Sequence, residues 1–299
     1  MNLFIKILPV ILLFFLGYLL RKLKIFKPSD ADIFLKLVFY VSLPALILFS
    51  VSRIQLKMEF YFLPLASFII FFATFGVAWL AGKKLALKRE QFGVLLVSTM
   101  IMNNSFVLPF VYQGLGNDGL ARLFIFDLAN GFLSFTFAYY ISCKYGSNHL
   151  QRGKMFMKFV ASPPIWALVI ALFLNFAKIK IHETVFDFLQ ITGNMTFPLV
   201  MLSLGIYFSP KIKAYKPVFA AILIRFVVGF LVGLLLVRIF NPDPLSKVII
   251  LTCATAPAGF NTLVFASMEK LDKELASSIL SFSLLAGMII TPLIIYFYG

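Results

Sequence analysis

The strongest constraint on the fold is a series of ten apolar stretches, each close to the length that crosses a bilayer. A helix needs about 20 apolar residues to cross the hydrocarbon core. The connections between the stretches are short, so no extramembrane domain is expected. The sequence therefore predicts an all-α polytopic membrane protein with ten transmembrane helices, called spans 1 to 10. The spans cover residues 3–20, 33–51, 60–81, 91–111, 121–143, 160–177, 185–208, 217–237, 248–268 and 275–298.

The charged residues lie mainly between the spans and predict how the protein is oriented. The chain is 61% hydrophobic and 13% charged, which is not the composition of a soluble domain. Its net charge is +15, but topology explains the basic residues better than nucleic-acid binding does. The connections after odd-numbered spans hold 17 Lys and Arg residues, and those after even-numbered spans hold 7. Because basic connections stay cytoplasmic, both termini are predicted on the outer side of the cell membrane.

The second half of the sequence repeats the first at a shift of about 154 residues. Ser42-Leu43-Pro44 in span 2 matches Thr196-Phe197-Pro198 in span 7, and residues 94–106 in span 4 match residues 248–260 in span 9. The halves are predicted as residues 1–154 and 155–299. Five spans per half is an odd number, so the two repeats have inverted orientations. Inverted repeats with a broken span at the same place in each half are typical of secondary transporters.

The broken spans are predicted from polar residues and prolines in the middle of spans 4 and 9. Span 4 contains Asn103-Asn104-Ser105 and Pro109, and span 9 contains Pro257-Ala258-Gly259 followed by Asn261. Asn and Ser compete for backbone hydrogen bonds, and Pro removes a donor. One interpretation is a broken helix whose free backbone groups face a cavity. The alternative is a kinked helix whose amides bind neighbouring helices.

The sequence contains no pattern that indicates an enzyme. It lacks a Walker loop, a zincin motif and the paired aspartates of membrane prenyltransferases. Its cysteines, Cys143 and Cys253, do not have the spacing of a metal site. We therefore expect neither catalytic activity nor a bound metal or cofactor.

These features together resemble the auxin efflux carrier family of membrane transporters. The family includes plant PIN proteins and bacterial carriers of malonate and other organic acids, and its fold is related to that of bile acid:sodium symporters. The resemblance covers essentially the whole chain and depends on the ten spans, on Asn103–Pro109, on Pro257–Ala266 and on Ser203-Leu204-Gly205. Many bacterial members carry a glycine before the span-4 proline. That glycine is missing here, so either Asn103 or Asn104 matches the family's asparagine.

The resemblance implies both an architecture and a function. Spans 1, 2, 6 and 7 would form a scaffold through which two copies form a homodimer. Spans 3–5 and 8–10 would form a transport domain in which the broken spans 4 and 9 cross. The implied function is secondary active transport of a small organic anion, such as an auxin- or malonate-like carboxylate, by alternating access. The alternatives are a sodium-coupled carrier of a larger amphipathic acid and a membrane receptor that does not transport its ligand.

The substrate is expected at the place where the broken spans cross. The amino ends of half-helices present free N–H groups and partial positive charge, which suit a carboxylate. Asparagine side chains there add amide donors, or else only tie the crossing helices together. The expected substrate-binding residues are Asn103, Asn104, Ser105, Pro109, Pro257, Gly259 and Asn261.

Three further residues are candidates for coupling transport to H⁺ or Na⁺. Asp127 lies well inside span 5, with Asn130 on the same helical face. Its carboxylate is expected to carry a proton, to bind sodium, to make a structural hydrogen bond or to pair with Arg122. Arg225 lies well inside span 8, where a charge is costly and is a functional candidate by default. The alternative for Arg225 is that its side chain extends towards the membrane surface.

Overall fold

The computed structural model describes residues 3–54, 58–146, 160–212 and 214–299. Within these residues the protein is all-helical and contains no strand. The predicted boundary between the two repeats, at residues 154 and 155, lies outside the described residues. The same holds for five basic residues of the connections, Lys57, Arg152, Lys154, Lys158 and Lys213.

Each predicted span lies on one or two helices of the structure. Six helical segments are long and apolar enough to cross a membrane, and they are Pro28–Val51, Phe62–Lys84, Asn104–Tyr145, Glu183–Tyr207, Tyr215–Phe240 and Lys273–Tyr298. The other helices are Leu3–Lys22, Arg89–Met100, Pro163–Phe176, Pro244–Ala254 and Asn261–Met268, with a short 3₁₀ turn at Met58–Tyr61. The part of the chain that the structure describes therefore contains about six helices long and apolar enough to span a membrane, and the arrangement of ten spans as two inverted repeats stays a prediction.

Gly116 divides the long segment Asn104–Tyr145 into two helices. Its backbone has φ 64° and ψ −156°, a conformation that an L-residue with a side chain adopts only under strain. The helix before Gly116 is the second half of predicted span 4, and the helix after it is predicted span 5. A π-helical turn at Ser134–Ala138 lies within the second of these helices.

Span 4 is broken at residues 101–103, between the helices Arg89–Met100 and Asn104–Tyr145. We call these three residues the first junction. The Asn103 side chain accepts a hydrogen bond from the Phe106 N–H, which caps the second helix at its start. Pro109 therefore lies inside a helix, and the break is shorter than the predicted stretch Asn103–Pro109.

Span 9 is broken at residues 255–260, between Pro244–Ala254 and Asn261–Met268. We call these six residues the second junction, and the two junctions together the crossing. Met102 and Ala258 face each other in an antiparallel bridge. The bridge is flanked by hydrogen bonds from the Asn103 N–H to the Pro257 carbonyl and from the Gly259 N–H to the Ile101 carbonyl, both 2.9 Å long. The two broken spans thus satisfy part of each other's free backbone.

The spans predicted as the scaffold pack against one another in two pairs. Leu3–Lys22 packs on Thr196–Tyr207, and Leu43–Val51 packs on Pro163–Phe176. The first pair is very close, since a Cβ atom on Gly205 would lie 2.0 Å from the Phe14 carbonyl oxygen. Between spans 2 and 7 the Thr196 hydroxyl donates to the Ser42 hydroxyl over 3.0 Å, and these two residues are 154 positions apart.

Candidate functional site

A cavity of about 530 Å³ reaches the crossing. Its wall is mostly apolar, with a small number of polar groups gathered at the crossing, which is the usual composition of a small-molecule site. The residues of the wall come from spans 2, 6 and 7 and from spans 4, 5 and 9. The polar and charged residues of the wall are Asp32, Lys36, Asn103, Asn104, Ser105, Asp127, Asn130, Ser134, Ser162 and Asn261.

Asp127 is the carboxylate at the end of the cavity that reaches the first junction. Its Oδ1 atom accepts two hydrogen bonds, from Asn104 Nδ2 over 2.6 Å and from Asn130 Nδ2 over 2.7 Å. Asn104 is only 2% exposed, and its Oδ1 atom makes no hydrogen bond with the described residues. This end of the cavity therefore offers acceptor oxygens, which suit a cation or a hydrogen-bond donor.

Asn130 also holds the first junction in place. Its Oδ1 atom accepts from the Met102 N–H and its Nδ2 atom donates to the Met102 carbonyl, each over 3.1 Å. The π-helical turn that follows lies one turn further along the same helix. Arg122, the alternative partner considered for Asp127, instead pairs with Asp243 at 3.2 Å. The amides of Asn104 and Asn130 are thus the hydrogen-bond partners of the Asp127 carboxylate among the described residues.

The second junction faces the same cavity with free backbone donors. Gly259, Phe260 and Asn261 line the wall where the helix Asn261–Met268 begins. No side chain caps this helix, and the N–H groups of Phe260 and Asn261 make no hydrogen bond with the described residues. An uncapped amino end carries partial positive charge and attracts an anion.

Arg225 lies against the crossing and does not line the cavity. It is 0% exposed, so its side chain does not extend to the membrane surface. Its guanidinium donates to the Thr99 carbonyl over 2.9 Å, to the Ala254 carbonyl over 3.3 Å and to the Ala256 carbonyl over 2.9 and 3.0 Å. These carbonyls belong to the carboxyl ends of both half-helices, where partial negative charge collects. One side chain therefore serves both broken spans.

Two charged residues lie further out on the same cavity wall. Asp32 and Lys36 are exposed and lie one turn apart on span 2. The Tyr207 hydroxyl donates to the Asp32 carboxylate and so links span 7 to span 2. The Tyr207 ring also packs against the Phe260 ring, with centroids 4.7 Å apart. This contact connects the outer part of the cavity to the second junction.

The structure brings seven of the ten residues predicted for the site to the cavity wall. Pro109, Pro257 and Arg225 do not line the cavity. The residues that do line it are Asn103, Asn104, Ser105, Asp127, Asn130, Gly259 and Asn261. Among the described residues, no three His, Cys, Asp or Glu side chains are close enough together to hold a metal ion.

Ser283 is a residue of the crossing that the sequence reasoning missed. Its hydroxyl accepts a hydrogen bond from the Ala258 N–H over 3.1 Å, as Asn130 does from Met102. Ser283 follows Asn130 by 153 positions, so the repeat shift itself was the signal that could have found it.

Comparison with known proteins identifies the family. A family model described as "Membrane transport protein" matches residues 2–295. The chain belongs to this family. The match confirms the resemblance to the auxin efflux carriers and makes the chain a multi-pass membrane transporter. An "uncharacterized transporter" of Methanocaldococcus jannaschii is 29% identical, with 93% of this chain and 94% of the relative aligned. A second "uncharacterized transporter", of Methanothermobacter thermautotrophicus, is 25% identical over 96% and 95% of the two chains.

Proposed function

We propose that the protein is a secondary active transporter that carries a small organic anion across the cytoplasmic membrane by alternating access. The substrate class is a carboxylate, auxin-like or malonate-like, bound at the crossing. One observation carries the proposal. The uncapped amino end of the helix Asn261–Met268 lines a cavity whose wall also contains the amides of Asn103 and Asn104. This arrangement binds a carboxylate without a formal positive charge in the wall next to it.

The proposed architecture has ten transmembrane helices in two inverted repeats of five. Three pairs of contacting or equivalent residues support it, because each pair is separated by nearly the same number of positions. Ser42 bonds Thr196 at a separation of 154, Met102 faces Ala258, and Asn130 and Ser283 hold equivalent backbone N–H groups. Contacts between residues related by the repeat are what a pseudo-two-fold axis through the crossing would produce.

Alternating access would then move the transport domain, spans 3–5 and 8–10, against the scaffold, spans 1, 2, 6 and 7. The cavity supports this division because both sets of spans contribute residues to its wall. The cavity includes the first turns of span 2, which follow a basic connection predicted to be cytoplasmic. In this orientation the cavity opens inwards, and both termini are on the outer side. We also propose that two copies form a homodimer through the scaffold.

The proposal includes no catalytic step, and family membership points to a transporter rather than an enzyme. Apart from the substrate and the lipid bilayer, the proposed partner is a coupling ion, H⁺ or Na⁺. Asp127 and Asn130 are the candidates to bind it, since the carboxylate lies on the cavity wall with no cationic partner among the described residues. No nucleic acid and no metal cofactor enter the proposal.

A second candidate is a carrier of a larger amphipathic acid of the bile-acid type. The cavity volume of about 530 Å³ favours it, since sites for drug-sized ligands measure about 300–1,000 Å³. The apolar wall beyond the crossing would hold the body of such an acid while the junction held its carboxylate. A receptor that binds the acid without moving it remains the third alternative.

Uptake into liposomes tests the proposal. Purified protein is reconstituted, and the uptake of radiolabelled malonate, indole-3-acetate and taurocholate is measured. We expect uptake of at least one acid, and Asn261→Ala should reduce it. Losing one hydrogen bond to a charged group costs about 1.5–3 kcal/mol, or roughly 10- to 150-fold in affinity.

The matched control is Asn117→Ala, an exposed asparagine that does not line the cavity. It should transport as the unmodified protein does. Binding of an acid without uptake would support the receptor instead. Equal uptake by both variants would mean that the substrate site is not at the crossing.

A further inference from the structure

Asp127 lines the cavity at the crossing and Arg225 does not, and neither has a partner of opposite charge among the described residues. Asp127 is bonded to the amides of Asn104 and Asn130. Arg225 is bonded to backbone carbonyls of Thr99, Ala254 and Ala256. The crossing therefore contains one carboxylate and one guanidinium, held apart by the two junctions.

A short series of contacts connects the two charges through the crossing. Asn130, which donates to Asp127, also bonds the backbone of Met102, and Met102 faces Ala258. Arg225 donates to the carbonyl of Ala256, two residues before Ala258. The other charged residues on the cavity wall, Asp32 and Lys36, are exposed and in contact with solvent. The charge of the crossing itself is therefore set by Asp127 and Arg225.

A net charge at this depth is costly, because a low-dielectric surrounding penalises any uncompensated ion. With Asp127 ionised, the empty crossing is neutral. An anion that entered this state would give the crossing a net negative charge. If Asp127 is first neutralised by a single positive charge, Arg225 is left unbalanced, and an anion then restores neutrality.

We propose that Asp127 and Arg225 form a balanced charge pair across the crossing, and that the crossing accepts an anion together with one monovalent cation bound at Asp127. The proposal rests on the proposed function. It deepens that function by fixing the stoichiometry at one positive charge per anion, and it assigns Arg225 the role of a positioning and charge-balancing residue. The cation is H⁺ or Na⁺, since either supplies the one positive charge.

The stoichiometry makes the net charge moved depend on the substrate. A monocarboxylate moves with one cation and carries no net charge. A dicarboxylate places only one of its two carboxylates at the crossing, so it moves with one cation and carries one negative charge. An inside-negative membrane potential should therefore oppose the uptake of malonate and leave the uptake of indole-3-acetate unchanged.

A test without substrate measures the charge balance alone. The melting temperatures of Asp127→Asn, Arg225→Gln and the double variant are compared in detergent, since a double-mutant cycle isolates the interaction between two residues. Asn keeps the acceptor for both amides, and Gln keeps amide donors for the carbonyls. We expect the double variant to melt higher than Arg225→Gln alone, because the unbalanced carboxylate is gone. If Arg225→Gln does not fold, folding of the double variant supports the pair equally.

Additive losses in the double variant would overturn the charge pair. Arg225→Lys is the control that keeps the positive charge. On that background, Asp127→Asn should lower the melting temperature as much as it does in the unmodified protein. If neither Arg225→Gln nor the double variant folds, the lysine background decides. An effect of Asp127→Asn on the melting temperature that is equal in Arg225→Lys and in the unmodified protein supports the proposal. A much larger effect in Arg225→Lys overturns it.

A transport test measures the cation. In liposomes, malonate and indole-3-acetate uptake is driven in turn by a pH gradient and by a sodium gradient. We expect one of the gradients to drive accumulation in the unmodified protein, and Asp127→Asn to lose that accumulation while keeping exchange of substrate for substrate. Accumulation by Asp127→Asn equal to that of the unmodified protein would overturn the coupling.

The two tests separate this proposal from the function on which it rests. One outcome is that no acid is taken up while the double variant melts higher than Arg225→Gln. That outcome would overturn the proposed binding of an anion and leave the charge pair supported. If neither the pH gradient nor the sodium gradient changes uptake, or if the membrane potential does not change malonate uptake, the stoichiometry is overturned and the transport function stands.

Discussion

The two junctions of the crossing satisfy their free backbone groups in different ways. The first junction is served by asparagine side chains, with Asn103 capping the following helix and Asn130 bonding both backbone groups of Met102. Most residues of the second junction are small, and no side chain caps the helix that follows it. It is bonded by Asn103, whose Nδ2 donates to the Ala258 carbonyl, and by Ser283 and Arg225, which reach it from spans 10 and 8. The helix after the first junction is therefore capped, whereas the N–H groups of Phe260 and Asn261 at the end of the second junction have no partner among the described residues.

This difference indicates that the two junctions, which share a similar backbone arrangement, bind different ligands. A capped amino end next to Asp127 suits a cation, and an uncapped amino end suits an anion. The two broken spans are alike in their backbone and differ in the side chains that bond it. The predictions below test this comparison.

The largest effect is expected when Arg225 is replaced by a residue without donors. Arg225→Leu leaves three buried carbonyls without their bonds, and each such group costs about 1–3 kcal/mol. We expect a large loss of melting temperature or of folded protein on size-exclusion chromatography. Arg225→Lys should recover part of the loss. A melting temperature unchanged by Arg225→Leu would show that the second junction does not depend on span 8.

A smaller loss of stability is expected when a side chain is added at Gly229, where span 8 contacts the end of the helix before the second junction. A Cβ atom on Gly229 would lie 2.2 Å from the Ala254 carbonyl oxygen, an acceptor of Arg225. Gly229→Ala should therefore destabilise by about 1–3 kcal/mol, despite the better helix propensity of alanine. The matched control is Gly76→Ala, where the new Cβ has nothing within 4 Å. Equal melting temperatures for the two variants would contradict the close approach.

Asn103 and Asn261 should differ in what their loss affects. Asn103→Ala removes the helix cap and should lower the stability by about 1–2 kcal/mol. Asn261→Ala removes a side chain that makes no hydrogen bond with the described residues, so its melting temperature should not change while its transport falls. Thermal unfolding and uptake are measured on the same preparations. A loss of stability in both variants would remove the distinction between the junctions.

The smallest effect is expected at Ser283. Ser283→Ala leaves the Ala258 N–H without its acceptor, and interhelical hydrogen bonds in membranes contribute about 0.6 kcal/mol on average. Asn130→Ala removes two bonds to Met102 as well as one to Asp127, so its loss should be larger. A larger loss at Ser283 than at Asn130 would mean that the second junction is held mainly from span 10.

The sequence predicted the existence of both breaks, because Asn103-Asn104-Ser105 and Pro257-Ala258-Gly259 disrupt apolar stretches that should be continuous in lipid. It did not predict the end of the first break, since Asn103 starts a helix that continues through Pro109. Pro109 is the sixth residue of this helix, beyond the first four whose N–H groups need no partner, so it removes the hydrogen bond to the Ser105 carbonyl without ending the helix.

The contacts of Arg225 could not be predicted from its position in span 8. A buried arginine is a functional candidate wherever it occurs, but its partners here are backbone carbonyls, which every sequence has. One partner of Asp127 could be predicted from the sequence, because Asn130 lies on the same helical face at a spacing of three. Its second partner, Asn104, comes from a different helix, and only the fold brings the two together.

The central claim is that the second junction binds the carboxylate of the substrate. The most direct measurement is a crystal structure with bromomalonate bound, in which the anomalous signal of bromine locates the ligand. We predict a peak in the cavity, with carboxylate density within hydrogen-bond distance of the N–H groups of Phe260 and Asn261. A peak elsewhere, or carboxylate density against Lys36 with the second junction left empty, would contradict the account.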